Sequence, residues 1–234
     1  MGGTDNQQNP LALATQAASD ASSAIIRALD SGSAAAVMLP SRIVQTQRNS
    51  VFLRDLKNGY ERLVEEGKVE KEYSKSEQGT ACLQELLAAL EQPPVDQVRF
   101  NAMKAVFLAA ATQTISKVDD ILPQLILRTV AALEPGEIVL LGVTFEIAER
   151  GEYKTGREIG GVQQWCQYIV SKSNFKATAI VEYYEEKLME KKLLSGRTHT
   201  DRSGISVGQQ FRLTDFAVEL CKFLKAGQEL TTKA

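Results

Sequence analysis

Between residues 52 and 64 the apolar side chains Phe52, Leu56, Tyr60, Leu63 and Val64 recur at steps of three and four. That period gathers them on one side of an α-helix. Lys57, Glu61, Glu65 and Lys68 lie mostly off the stripe, so helix is expected from about Ser41 to Ala89. Gly59 and Gly67 each weaken a helix by about 1 kcal/mol relative to alanine, and a break is expected near Gly67. Leu83, Leu86, Leu87 and Leu90 mark the next helix, which Pro93-Pro94 ends. Pro94 can open another, because its missing N–H is not needed in a first turn. Val98, Met103, Val106, Phe107 and Ala110 would form that helix's apolar face. Ser116 and Asp119 stand at capping-box spacing and predict a helix reaching about Leu133. Pro123 fits its first turns if the helix begins nearer Leu122. Glu134-Pro135-Gly136-Glu137 resets the chain, with Pro135 suited to a first helical position, and Ile138 to Ala148 predict an apolar helix that stops at Gly151.

The two ends of the chain differ in character. Residues 1–18 carry few large apolar groups and are expected to form a disordered tail. Ile25, Ile26 and Leu29 share one side of a short helix from Asp20 to about Asp30, broken by Ser31-Gly32-Ser33. Further on, Trp165, Tyr168 and Ile169 read as a core helix, and a helix of about twenty residues spans Asn174 to Leu194. After the polar stretch from Ser195 to Ser203, Ile205, Val207, Phe211 and Leu213 nearly alternate, with Gly204 and Gly208 as turn or bulge signals. Thr214 can cap a last helix carrying Phe216, Leu220, Phe223 and Leu224 at helical spacing. The expected fold class is mostly α. The expected division is a tail at 1–18, a helical region at 19–133, a winged-helix-like domain with a small β-hairpin at 134–226, and a flexible tail at 227–234.

Helix, glycine-bounded hairpin and helix is the layout of a winged-helix domain. Residues 188–194, Leu-Met-Glu-Lys-Lys-Leu-Leu, resemble the end of a winged-helix recognition helix entering its first wing strand. Residues 211–216, Phe-Arg-Leu-Thr-Asp-Phe, resemble the second wing strand entering a closing helix, and residues 133–138 look like the start of the first helix of such a domain. Across the whole chain, the helix end at Leu86 to Glu91 and the helix with Lys104 and Phe107 also resemble a group of uncharacterised bacterial helical proteins. Some of that group are associated with abortive infection, a phage-defence response. The resemblance implies an architecture and carries no catalytic motif.

Composition narrows the picture further. The chain has 234 residues, 44% hydrophobic and 24% charged, with a formal net charge of -2. That excludes a globally basic nucleic-acid binder but leaves room for a local basic patch. Cys82, Cys166 and Cys221 lie far apart without CxxC spacing, which argues against a disulfide framework or a zinc site. All three are expected to be reduced core residues. Met1 to Gln8 lack the basic and apolar regions of a signal peptide. The longest apolar runs, Ala105–Ala111 and Ile138–Val143, fall far short of the roughly 20 residues that span a bilayer. The expectation is a soluble cytoplasmic protein.

Little in the sequence suggests catalysis. His199, the single histidine, falls in the expected wing, as an exposed loop residue or a phosphate contact. Gly156, Gly160 and Gly161 lack the Gly-Lys-Ser/Thr of a nucleotide-binding loop and read as a flexible connection. Tyr183-Tyr184 and Glu185-Glu186 read as a solvated helix face. No catalytic residue, cofactor, metal or small-molecule substrate is expected, and the chain is not expected to be an enzyme.

A winged helix that reads DNA inserts its second helix into the major groove. At 100° per residue, Ala177, Ile180, Val181, Tyr184 and Leu188 should face inward, leaving Thr178, Glu182, Glu186 and Glu190 outward. Three carboxylates would then meet phosphates. Against them stand Lys172, Lys176, Arg197, His199, Arg202 and Arg212, the candidates for nucleic-acid contact. Residues 172–225 hold ten Lys or Arg and seven Asp or Glu, a mild balance of +3. The sequence therefore favours a non-enzymatic interaction or scaffold protein that binds a protein partner or itself. A DNA-binding regulator using the wing arginines is the alternative.

Overall fold

The computed structural model of the protein describes residues 40–69, 73–91, 96–112, 121–150, 162–196, 198–201, 204–207 and 212–232. The chain is mostly helical. In order come α1 (Pro40–Glu65), a 3-10 turn (Tyr73–Lys75), α2 (Glu77–Glu91), α3 (Gln97–Ala111), α4 (Leu122–Ala131), α5 (Pro135–Glu149), α6 (Val162–Lys172), α7 (Thr178–Glu190), a pair of short strands, and α8 (Asp215–Thr232). The strands, β1 (Thr198–Asp201) and β2 (Gly204–Val207), pair antiparallel, with Thr198 opposite Val207 and Asp201 opposite Gly204. No helix among the described residues is long and apolar enough to cross a membrane. The expected helix at Asp20 to Asp30, the tail at 1–18, the glycine-rich connection at 155–161 and the capping pair Ser116/Asp119 lie outside the described residues.

The core is organised around α3. Phe100, Met103, Val106, Phe107 and Leu108 are buried on it, together with Ala102, Ala105, Ala109, Ala110 and Ala111. Gln97, Val98 and Asn101 in its first turns are exposed, whereas residues 105–111 are all buried, and a stretch that is apolar on every side must be enclosed on every side. Helices α1, α2, α4, α5 and α8 all pack on it. Phe52 of α1 stacks on Phe100 with ring centroids 4.1 Å apart, and Tyr60 and Tyr73 each approach Phe107 at 6.0 Å. Lys104 of α3 meets Asp55 of α1 at 2.8 Å. The longest shared boundary is with α8, where an ideal Cβ on Gly227 would lie 1.9 Å from the carbonyl oxygen of Ala105. The two backbones meet directly, and only glycine fits there.

Local signals set the helix ends. After α1, Gly67 takes φ +68°, Gly67 N–H donates to Val64 O at 3.0 Å, and Lys68 N–H donates to Leu63 O at 2.9 Å. This is the left-handed closure that glycine permits, and it places the expected break where the sequence puts it. Asp96 caps α3 by accepting from Arg99 N–H at 2.8 Å. Helix α4 begins at Leu122 with Pro123 in its first turn, and α5 begins at Pro135, both as expected. Thr214 caps α8, accepting from Ala217 N–H at 3.3 Å.

Two expectations need correction. Val98 was assigned to the apolar face of α3, but it is 39% exposed, and Phe100 takes the inward place. Residues 227–232 are not a flexible tail: α8 continues to Thr232, and Leu230 O accepts from Arg62 Nη2 at 2.6 Å. One cluster of buried side chains runs from Phe52 to Leu224, because α3 packs on both α5 and α8.

The contrast between two helical glycines tests this architecture. A Cβ at Gly142 in α5 would meet nothing within 4 Å. Gly142→Ala should therefore raise stability by about 0.5–1 kcal/mol through helix propensity. Gly227→Ala should lower it by about 1–3 kcal/mol or more through overpacking. Urea unfolding of both variants measures this, and equal effects at the two positions would contradict the close crossing.

Candidate functional site

The region that carries the expected recognition helix is assembled by two buried ionic networks. The first fixes the end of α7 against the start of α5. Glu137 is fully buried and accepts from Lys191 Nζ, 2.7 Å from its Oε1. The same ammonium donates to Ala132 O at 3.1 Å, and Glu134 N–H donates to the Glu137 carboxylate at 2.6 Å. The carboxylate thus serves both as a helix cap and as an ionic partner, which offsets the cost of its burial. Beside it, the ring of Tyr184 covers Gly136 so closely that a Cβ there would lie 2.1 Å from the ring. Helix α7 then closes through Lys192 at φ 59°, with Leu193 N–H donating to Leu188 O at 2.9 Å.

The second network sets the rotation of α7. Its buried residues are Val181, Glu185 and Leu188, with Tyr184 and Met189 partly buried. Glu185 Oε1 lies 2.7 Å from Arg212 Nη2 and accepts from Trp165 Nε1 at 2.9 Å. Arg212 Nη1 also donates to Ser195 O at 3.2 Å. Both ionic side chains are nearly inaccessible, at 4% for Arg212 and 6% for Glu185. Glu185 was expected on the solvated face and is instead part of the core, because Arg212 and Trp165 reach it there. Ile180, expected inside, is 39% exposed, and Ala177 is exposed as well.

This arrangement sorts the candidate nucleic-acid contacts. Arg212 is spent on Glu185 and Ser195 and presents nothing to a phosphate, which corrects its expected role. Lys172 is exposed at the end of α6, with its ammonium 5.3 Å above the Tyr168 ring, and Lys176 is exposed between α6 and α7. His199 belongs to β1, opposite Ser206. Arg197 and Arg202 lie outside the described residues.

The outward face of α7 is acidic, as its spacing implied. Glu182, Glu186 and Glu190 are all exposed, with Tyr183 at 48% exposure beside them and Ile180 at 39% nearer the start of the helix. Lys187 lies 5.5 Å over the Tyr183 ring and 3.6 Å from Glu134. The Tyr183 phenol, followed by the Glu134 carboxylate, raises the pKa of its ammonium.

A separate cleft of about 520 Å³ runs between α5 and α8, over Gly142 and beside Phe145 and Leu224. Its rim holds two ion pairs, Glu149 with Lys225 at 2.6 Å and Glu146 with Arg150 at 3.1 Å. Cys221 lies under it. Burial pushes the Cys221 thiol up to about 12, with the nearby Glu149 adding to the effect. In the N-terminal half, burial likewise pushes the Cys82 thiol up to about 11. These thiols are protonated at neutral pH and are poor nucleophiles. Cys82, Cys166 and Cys221 are all buried, as expected.

The Trp165–Glu185–Arg212 network was missed in the sequence, although one signal pointed to it. Glu185 falls four residues after Val181 and three before Leu188, squarely on the apolar stripe. A carboxylate in that register needs a buried cation.

No family model, curated protein or solved structure matches the chain.

Two outcomes follow from these environments. Arg212→Met leaves Glu185 buried without its cation and should cost about 3–5 kcal/mol. Pairing it with Glu185→Met should recover most of the loss. Urea unfolding followed by the emission of Trp165, the single tryptophan, measures both, and additive losses would refute the coupling. For the thiols, the native state keeps protons that the unfolded chain releases near pH 9. Stability should therefore fall as pH rises from about 9 towards 11 and 12. In parallel, a disulfide reagent at pH 8 should label the folded protein far more slowly than the urea-unfolded chain. Equal labelling rates would contradict the burial.

Proposed function

We propose that the chain is a non-enzymatic interaction protein that docks a protein partner on the outward face of α7. The observation that carries this reading is the composition of that face: Glu182, Glu186 and Glu190 are exposed beside the exposed Tyr183, with Ile180 exposed nearer the start of the helix. Exposed aromatic and aliphatic side chains supply contact area, as partner-binding surfaces require. The carboxylates select a partner segment of opposite charge and speed its approach. The order helix, strand pair, helix is read as a winged-helix-like module, with α7 in the position of the recognition helix. In a DNA-binding member of that architecture the same face would meet phosphates, whose charge the three glutamates repel. Withdrawal of Arg212 into the core removes one of the cations that could offset them. The sequence resemblance to helical proteins associated with abortive infection makes phage defence the setting proposed by analogy.

Fluorescence anisotropy at low salt separates the two readings. A labelled amphipathic peptide rich in lysine and leucine should bind the full chain, and its affinity should fall as salt is added. Glu182→Lys with Glu186→Lys should weaken that binding about tenfold or more, equivalent to about 1.4 kcal/mol, while helicity stays unchanged. A labelled random DNA duplex should not bind at micromolar protein. Duplex binding that disappears with Lys172→Ala plus Lys176→Ala would overturn the proposal in favour of a DNA-binding regulator.

A further inference from the structure

We draw no further inference here: the strongest candidate, the cleft of about 520 Å³ between α5 and α8 over Gly142, carries nothing because its rim carboxylates Glu146 and Glu149 are already paired with Arg150 and Lys225, its Phe145 and Leu224 floor is almost wholly covered by the helices' own packing, and nothing in the structure shows what covers it.

Discussion

The close crossing of α3 and α8 is the constraint on which the other contacts depend. At Gly227 the backbone of α8 lies against the carbonyl of Ala105, with no side chain between them. Dispersion contacts are dense at such a crossing, and any added atom must push the helices apart. Residues 105–111 of α3 are buried on every side, and the helix's other sides gather α1, α2, α4 and α5. Helix α8, the last element among the described residues, is thereby fixed to α3 in the N-terminal half. Helix α7 packs on α5, which in turn packs on α3 and α8.

Within that frame, the orientation of α7 is decided by charge. Two carboxylates are buried near it, Glu137 and Glu185, and each has a cation within hydrogen-bonding distance. Either carboxylate alone would be costly in the core; paired and hydrogen-bonded, they fix register. Turning Glu185 inward towards Arg212 and Trp165 turns Glu182, Glu186 and Glu190 outward. The acidic surface of α7 and the withdrawal of Arg212 are two consequences of one buried pair. A basic groove-binding helix would need the opposite arrangement.

Much of the fold was legible because its signals are local. The stripe from Phe52 to Leu63, the closure at Gly67, the start at Pro135 and the Thr214 cap each depend on residues within a turn or two. The misread features depend on partners far along the chain. Periodicity treats Glu185 as polar and so as exposed, and it has no access to Arg212. Gly227, followed by Gln228 and two threonines at 231 and 232, has the composition of a fraying end. Its close approach to Ala105 exists only after α3 and α8 have met. Helix α3 is the exception, since its own sequence orients it: Gln97, Asn101 and Lys104 mark a polar face at steps of four and three, Val98 lies beside that face, and Phe100 takes the inward place. At the candidate site, the outward glutamates followed from spacing alone, whereas the loss of Arg212 from the cationic set required the tertiary structure.

The central claim is that the C-terminal helices α5 and α8 share a core with α3. Native-state hydrogen exchange of the full chain under increasing denaturant tests this most directly, since it resolves which elements open together. Peptides from residues 97–111 and 215–232 should show the same opening free energy and the same denaturant dependence, at the global unfolding limit. If residues 215–232 kept their protection after residues 97–111 had opened, the C-terminal unit would be an autonomous domain and the account would be wrong.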